Sequence, residues 1–440
     1  MANLIAPRPM LQFPYRPSTE NGSSQRLLGK GSLFGPLCRM RVSGPPLRPV
    51  PVRGIDGMPM SERSRRGALR SQTVILNEGT LYMSRAGKII HEDAEVMHAT
   101  IPDVFSQLSG SNILITGASG FLGSFIVDIL SALNHSSPSL NANIVASDNF
   151  IATNADRLAH LKGDPFIEFR TANVVDKTDW GRKFDWIIHC ASMASPIYYR
   201  PRPLETIDAN VNGTWRMLDL AEAHRAKGVL FFSSSEIYGD PDPQFIPTPE
   251  HYRGYVSCTG PRACYDESKR LGETLCISFW AQRKVPSKIV RPFNVYGPGQ
   301  RLNDGRMVPD MMSAALEGGP IVLLSDGIPT RSFCYVRDFI TGSLGVLVQG
   351  KPAEPYNVGN PEERSMLDVA RMMAEIAGRP GRPLEVQFCK SDDAQYLVDN
   401  PNRRCPDLTK VRTDVGYEPR VDLRTGLART FDYYREMVPA

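Results

Sequence analysis

Short apolar runs alternate with longer segments of helical periodicity along most of this chain. Runs of strand length occur at 113–115, 166–173, 185–192 and 228–235, and apolar residues at helical spacing follow the first of them at 121–130. Strands that alternate with helices are typical of a parallel sheet with right-handed crossovers. The pattern therefore predicts an α/β fold with a parallel sheet.

The turn after the first predicted strand reads TGASGFLG. Gly117, Gly120 and Gly123 let the backbone turn tightly and approach a pyrophosphate, while free N–H groups at the helix start offer donors to the anion. The next apolar run, ANIVASDNF, ends in Asp148, where a carboxylate would accept hydrogen bonds from ribose hydroxyls and repel a 2′-phosphate. Strand, glycine turn, helix and acid together predict an NAD site.

Polar and small residues follow the other predicted strands. Asn173, Ala191, Ser192 and the run 233–236 all lie where a strand ends. Ligands of parallel sheets bind at the carboxyl ends of the strands, so these positions should converge on one cleft.

Tyr265 and Lys269 stand four residues apart in ACYDESKR, which places them on one face of a helix. An ammonium close to the phenol would lower a pKa that is ordinarily about 10. A tyrosine in that state can take the proton of a sugar hydroxyl as a hydride leaves the same carbon. Because this spacing is common in ordinary helices, the interpretation depends on the NAD fingerprint upstream.

Six motifs occur in the order seen in extended short-chain dehydrogenase/reductases: TGASGFLG, SSSEIYGDP, GPRACYDESKR, RPFNVYGPG, NDGRMVPD and TRSFCYVRDF. Over roughly residues 110–437 the amino-acid sequence resembles those of the UDP-glucuronic acid decarboxylase (UDP-xylose synthase) family. The resemblance implies a Rossmann doubly wound sheet with helices on both faces and a smaller C-terminal α/β lobe. It places an NAD-binding domain at 105–290 and a lobe that mainly binds the UDP-sugar at 291–440, the two partly interleaved.

The same resemblance implies a set of site residues. The implied catalytic residues are Tyr265, Lys269, Ser234, Ser235, Glu236 and Arg404. The implied NAD contacts are Gly117, Gly120, Phe121, Leu122, Gly123, Asp148, Asn149, Phe150, Asn173, Val174, Ala191, Ser192, Tyr265 and Lys269. The implied substrate contacts are Tyr199 in preference to Tyr198, Asn294, Arg306 and Arg331. No metal is implied.

The implied reaction oxidises C4 of UDP-glucuronic acid, releases the carboxylate of the resulting β-keto acid as carbon dioxide, and returns the hydride to give UDP-xylose. NAD is thereby recycled. Glu236 and Arg404 would hold the sugar ring and manage the proton delivered to C5. Ser235 and Glu236 stand where 4,6-dehydratases have an Asp-Glu pair, so the acid needed for water loss is missing.

Two alternatives stay open at this stage. One is another enzyme on the same scaffold, a 4-epimerase, a 4,6-dehydratase or a decarboxylase that releases the 4-keto pentose. The other is a non-catalytic NAD-binding protein that uses the fold for regulation or protein contacts.

Composition limits the partners and the compartment. The 440 residues carry a net charge of +4, and residues 1–57 hold eight basic against two acidic side chains, so the remainder is slightly acidic and gives no case for nucleic acid. Residues 1–70 form a Pro-, Gly- and Arg-rich leader that we expect to be disordered, as a transit-like segment or an upstream extension of the true start. Scattered cysteines and the lack of a long apolar run favour the cytoplasm and no membrane span. The family resemblance implies a homodimer.

Overall fold

The computed structural model describes residues 85–437 except 138–139, 154, 303, 392, 394–397 and 399. The leader at 1–70 lies outside the described residues. The strands are β1 (Asn112–Thr116), β2 (Asn143–Asp148), β3 (Ile167–Thr171), β4 (Trp186–His189), β5 (Gly228–Phe232), β6 (Ser287–Pro292), β7 (Val295–Tyr296), β8 (Ile321–Leu323), β9 (Thr330–Ser332), β10 (Cys334–Tyr335), β11 (Pro355–Val358), β12 (Glu363–Ser365), β13 (Val386–Phe388) and β14 (Arg403–Arg404).

The helices are α1 (Arg85–Thr100), α2 (Pro102–Leu108), α3 (Phe121–Ser136), α4 (Pro196–Tyr199), α5 (Pro203–Asp208), α6 (Thr214–His224), α7 (Ala263–Arg283), α8 (Met307–Leu316), α9 (Val336–Gln349), α10 (Met366–Ala377), α11 (Thr409–Val415) and α12 (Leu423–Met437). A π-helical turn at Ala209–Gly213 joins α5 to α6. A 3-10 turn at Ser235–Tyr238 follows β5. Within the described ranges, no helix is both long enough and apolar enough to cross a membrane.

Seven parallel strands form the main sheet in the order β11-β6-β5-β4-β1-β2-β3. All residues of β4 and β5 are buried, which explains why these strands read as continuous apolar runs rather than as alternating patterns. The strand order reverses on the two sides of β1, as in a doubly wound fold. The predicted fold class is confirmed.

Helices cover both faces of this sheet. Phe125 and Ile129 of α3 and Phe339 of α9 belong to one apolar cluster, while Leu218 of α6 and Phe279 of α7 belong to another. The β1 residues divide between these clusters, with Ile113 and Ile115 in the first and Leu114 in the second. That division follows from the two-residue period of a strand.

A smaller set of elements follows the main sheet in the chain. Helices α8, α10 and α12 share a third apolar cluster that includes Met311, Val369 and Leu427. Strand β11 nevertheless returns to the main sheet beside β6, so the chain alternates between the two lobes.

Helix α1 is fastened to the C-terminal lobe by a buried acid. Asp93 is fully buried and accepts hydrogen bonds from the Tyr335 hydroxyl at 2.8 Å and from Arg429 Nη2 at 2.9 Å. Burial raises the pKa of Asp93 to about 6, although Arg429 and Arg337 act in the opposite direction. No residue pattern in the sequence indicates this contact.

Candidate active site

A cavity of about 1240 Å³ lies at the carboxyl ends of β1, β4 and β5. Gly120, Ser192 and Ser234 line it from the sheet, and Arg306 and Phe333 line it from the C-terminal lobe. Its position at the point where the strand order reverses is where doubly wound folds bind their ligands.

The glycine loop between β1 and α3 fits a pyrophosphate. Gly117 has φ +68°, and a Cβ there would lie 2.6 Å from Ala191 N. A Cβ at Gly123 would lie 2.3 Å from Gly117 O, so helix α3 could not pack against the loop with any larger residue. Helix α3 begins at Phe121, and no side chain among the described residues caps its N-terminus, so its first N–H groups can bind an anion.

Asp148 fastens the loops at the end of β2. Its Oδ1 accepts hydrogen bonds from Phe150 N at 2.8 Å and Thr153 Oγ1 at 2.9 Å, and its Oδ2 accepts one from Ser119 N at 2.9 Å. A carboxylate has about four acceptor positions, so one remains for the ribose hydroxyl that the sequence predicts. Asp148 thus links the glycine loop to the segment after β2.

The remaining predicted adenosine contacts lie outside the cavity lining. Asn149 and Asn173 meet at the ends of β2 and β3, where Asn149 Nδ2 lies 3.3 Å from Asn173 Oδ1. Val174 is buried and packs closely against Gly213, where an added Cβ would lie 2.7 Å from Val174 Cγ2. A contact with NAD at these positions, and at Phe150 and Ala191, stays a prediction.

Tyr265 and Lys269 lie together on α7, and both are buried. Lys269 Nζ is 5.7 Å from the centre of the Tyr265 ring and donates a hydrogen bond to Phe232 O at 2.7 Å. Ser234 hydrogen-bonds Tyr265, and its Oγ also accepts the Glu236 N–H at 3.1 Å. The helix and the end of β5 therefore meet at the phenol.

For the protein chain alone, the prediction that the pKa of the Tyr265 phenol is lowered is wrong. Burial raises the pKa of Tyr265 to about 12, against the smaller opposing effect of the Ser234 hydrogen bond. Burial also lowers the pKa of Lys269 to about 7. The physical reason is that the site disfavours charge on both groups, and Lys269 donates to a backbone carbonyl rather than to the phenol.

Glu236 lies between two guanidinium groups in the 3-10 turn after β5. Arg404 contacts its Oε1 and Arg262 contacts its Oε2. Burial alone would raise the pKa of Glu236, but the charges of Arg262 and Arg404 outweigh burial and lower it to about 2. The structure thus brings together Glu236 and Arg404 as the sequence predicts and adds Arg262, whose signal was its position three residues before Tyr265.

Two neighbouring tyrosines of α4 have different surroundings. The rings of Tyr199 and Tyr265 stack with their centres 5.3 Å apart and their planes at 12°. The Tyr199 hydroxyl is buried and has no hydrogen-bond partner among the described residues, whereas Tyr198 accepts a bond from Arg301 at 2.6 Å. These contacts favour Tyr199 over Tyr198 as the residue that meets the substrate.

The other predicted substrate residues all line the cavity but already have partners. Asn294 donates to Ser332 O at 3.1 Å. Arg306 pairs with Asp304. Arg331 donates to backbone carbonyls, including Pro401 O at 2.7 Å, and burial together with the charge of Arg404 lowers its pKa to about 10.

We expect Lys269→Met to have two effects. It should stabilise the protein, and it should lower kcat about a hundredfold for the sugar oxidation that the sequence predicts. The pKa of Lys269 is about 7 in the folded chain against 10.5 ordinarily, so between those pH values the unfolded chain binds more protons and wild-type stability rises with pH. The buried ammonium therefore destabilises most at pH 7 and below. Denaturant unfolding at pH 6 should give the variant a free energy of unfolding higher by about 2 kcal/mol. An equal or lower value at pH 6 would contradict this explanation.

Known proteins are similar to this chain over most of its length. It is 37% identical over 331 residues to UDP-glucuronic acid decarboxylase 1 of Xenopus tropicalis, which covers 75% of this chain and 74% of that protein. It is 37% identical over 319 residues to UDP-glucuronic acid decarboxylase 5 of Arabidopsis thaliana, which covers 72% of this chain and 88% of that one.

Solved structures with the same architecture include sugar-nucleotide enzymes. UDP-glucuronic acid 4-epimerase from Bacillus cereus, in complex with UDP-glucuronic acid and NAD, superposes with a TM-score of 0.62 at 26% identity and covers 74% of this chain and 100% of that one. DesIV, the dTDP-glucose 4,6-dehydratase of Streptomyces venezuelae, superposes with a TM-score of 0.63 at 25% identity. The match covers 74% of this chain and 97% of the DesIV chain.

The family model that matches this chain spans residues 113–359, from the first residues of β1 to just beyond β11. That range contains the glycine loop, the Tyr265–Lys269 pair and the turn that carries Glu236. The chain belongs to the NAD dependent epimerase/dehydratase family.

Proposed function

We propose that this chain converts UDP-glucuronic acid to UDP-xylose, with NAD as a recycled cofactor. The observation that carries the proposal is the contact of Glu236 with Arg404 inside the cavity that also contains Tyr265. An acidic pair suited to dehydration is absent from this turn, since Ser235 precedes Glu236. Relatives named UDP-glucuronic acid decarboxylase, at 37% identity, support the same reaction.

The chain's own groups can perform the proton transfer at C4. NAD, when bound, accepts a hydride from C4 of the sugar and later returns it. Tyr265 takes the proton of the 4-hydroxyl as that hydride leaves, a step that requires the phenolate; its pKa of about 12 would fall when the positive charge of the nicotinamide lies beside it. Ser234, already hydrogen-bonded to Tyr265, keeps the phenol oriented. Lys269 supplies a group that titrates near neutral pH close to the phenol.

Loss of the carboxylate follows from the 4-keto group. The electron pair of the C5–C6 bond moves toward the C4 oxygen, carbon dioxide leaves, and the oxyanion is stabilised by hydrogen bonds from Tyr265 and Ser234. Contrary to the role implied by the resemblance, Glu236 does not donate the proton that C5 then receives, because its pKa of about 2 keeps it ionised at neutral pH. We propose that this proton comes from solvent. We propose that Glu236 orients the sugar as a hydrogen-bond acceptor and that Arg404 fixes the position of the departing carboxylate.

The charge of the cavity supports an anionic substrate. Eight basic side chains line it against five acidic ones, a surplus that complements the diphosphate and carboxylate of a UDP-uronic acid. Guanidinium groups also suit phosphate and carboxylate geometry, and seven of the eight basic residues are arginines.

The proposal can be tested on the purified full-length protein with a panel of sugar nucleotides and a trace of NAD. We expect carbon dioxide and UDP-xylose from UDP-glucuronic acid, and no turnover of UDP-glucose. Turnover of UDP-glucuronic acid to its 4-epimer without carbon dioxide would replace the decarboxylase by an epimerase. In a parallel reaction with excess NAD, accumulation of a 4-keto pentose with an equal amount of NADH would replace it by a decarboxylase that releases the oxidised sugar.

We also propose a homodimer formed through α5, α6 and α7. Exposed apolar side chains mark this face, with exposed fractions of 76% for Leu204, 42% for Trp215, 44% for Leu271 and 45% for Ile277. Helix α7 packs against both α5 and α6, so these residues belong to one part of the surface.

Light scattering after gel filtration should give a dimer mass for the wild type and a monomer mass for Leu204→Glu combined with Leu271→Glu. Phe388→Glu, which places the same charge at an exposed apolar position of β13, is the control and should remain dimeric. A monomeric wild type, or dissociation by the control alone, would exclude this interface.

A cytoplasmic location is proposed as well. All seven cysteines of the described residues are free thiols, as expected in a reducing compartment. Fractionation of cells that express the full-length chain would place it in another compartment if the proposal is wrong.

A further inference from the structure

Arg262 immediately precedes α7 and lies three residues before Tyr265. Its side chain is 11% exposed, and its guanidinium contacts Glu236 Oε2, while Arg404, 3% exposed, contacts Glu236 Oε1 from β14. Each oxygen of one carboxylate therefore has its own guanidinium, one from the Rossmann lobe and one from the C-terminal segment.

The contact with Arg262 closes a chain of interactions around the reacting phenol. Glu236 donates its backbone N–H to Ser234 Oγ at 3.1 Å, and Ser234 hydrogen-bonds Tyr265. Arg262 and Tyr265 both lie at the N-terminal end of α7. The Arg262–Glu236 contact therefore gives this end of α7 a second connection to the turn after β5, in addition to the one through Ser234. Loss of Arg262 would free the turn to move relative to the phenol.

Stability alone does not explain a buried pair of this kind. Buried ion pairs contribute little net stability, because desolvation offsets much of their attraction. The Nε of Arg262 is buried without a hydrogen bond to any described residue, and its other acidic neighbour, Asp266, lies 3.8 Å away at Oδ2. The Arg262 guanidinium thus leaves part of its hydrogen-bonding capacity unused among the described residues, and its close contact is with the carboxylate of Glu236.

We propose that Arg262 is a positioning residue of the reaction, which holds Glu236 as an oriented carboxylate in register with Ser234 and Tyr265. This inference rests on the proposed function. Arg404 approaches the carboxylate from the other side, so Arg262 cannot be replaced by Arg404 alone. The charged and titratable groups that face Glu236 are Arg262, Arg331, Arg404, Tyr199 and Tyr265.

The test compares Arg262→Gln and Arg262→Lys with a matched control, Arg270→Gln. Arg270 lies on the same helix and donates to Ile237 O of the same turn at 3.0 Å, but it has no contact with Glu236 among the described residues. Two quantities are measured on the full chain with NAD: kcat and KM for carbon dioxide release, and the titration of the Glu236 carboxyl by ¹³C NMR with Glu236→Gln as the assignment reference.

We expect Arg262→Gln to lower kcat about a hundredfold with KM changed less than about threefold, since a small misplacement of catalytic groups has effects of this size. The Glu236 carboxyl should titrate at least about one pH unit higher. Arg262→Lys should restore the low titration and part of kcat, and Arg270→Gln should resemble the wild type.

An unchanged Glu236 titration in Arg262→Gln would overturn the proposal. A loss of kcat that is equally large in Arg262→Gln, Arg262→Lys and Arg270→Gln would overturn it as well. If Arg262→Gln does not fold, Arg262→Lys decides: a low Glu236 titration with a partial loss of kcat supports the proposal, and a kcat equal to that of the wild type overturns it. A wild type that releases no carbon dioxide from UDP-glucuronic acid would instead refute the proposed function. The NMR titration would still report on the Arg262–Glu236 contact, so the two failures are distinguishable.

Discussion

Tyr265→Phe should lower kcat for UDP-glucuronic acid by about a thousandfold while KM stays nearly unchanged. The variant keeps the ring that stacks on Tyr199 at 5.3 Å but loses the oxygen that takes the 4-hydroxyl proton. Proton transfer by a positioned side chain contributes about 10²- to 10⁴-fold, and Ser234 would be left without the phenol as its partner. Steady-state release of carbon dioxide measures kcat, and titration with UDP measures binding.

Tyr199→Phe provides the control for this experiment. Its hydroxyl is buried without a partner among the described residues, so removal affects only a contact with the sugar. We expect a loss of about tenfold or less, carried mainly by KM. Retention of more than a tenth of wild-type kcat by Tyr265→Phe would assign the proton transfer to another group.

Arg404→Met should reduce carbon dioxide release about a hundredfold. Arg404 is 3% exposed and touches one of the two oxygens of Glu236, so the variant leaves the partly buried carboxylate with Arg262 as its remaining direct partner. Removing one member of a buried charged pair is strongly unfavourable, and here it also removes the proposed guanidinium for the departing carboxylate. Quenched-flow release of ¹⁴CO₂ from UDP-[6-¹⁴C]glucuronic acid measures the step directly.

The adjacent Arg403 offers a matched control for that experiment. It is 46% exposed and pairs with Glu363 at 2.5 Å, away from Glu236. Arg403→Met should keep kcat within about twofold of wild type, because exposed ion pairs contribute little. If Arg404→Met released carbon dioxide as fast as Arg403→Met, Arg404 would have no part in decarboxylation, and another residue would have to fix the departing carboxylate.

The main sheet could be predicted because its information is local. Buried parallel strands require continuous apolar runs, and the glycine loop after β1 needs small residues at Gly117 and Gly123. The Tyr265–Lys269 pair was visible for the same reason, since four residues are one turn of a helix.

Contacts between distant parts of the chain were harder to predict. The contact between Arg404 and Glu236 spans 168 residues and came only from the family resemblance. Arg262 stands in the motif GPRACYDESKR, but its contact with Glu236 could not be predicted, because the orientation of Arg262 depends on how α7 meets the turn after β5. The contacts of Asp93 with Tyr335 and Arg429 had no sequence signal at all.

The electrostatics of the site could not be predicted from spacing. The four-residue spacing from Tyr265 to Lys269 indicates proximity but not burial, and burial determines the direction in which both pKa values move. Likewise, the position of Asp148 at the end of β2 could be predicted, while its three hydrogen bonds depend on loops whose course the sequence does not specify.

The most direct test of the central claim is the NMR spectrum of the product formed from UDP-glucuronic acid in D₂O with a trace of NAD. We expect UDP-xylose with one deuterium at C5, from the proton delivered after carbon dioxide leaves, and with hydrogen retained at C4, because the same hydride leaves and returns. A six-carbon product that keeps its carboxylate, or a pentose with deuterium at C4, would contradict decarboxylation with a recycled hydride.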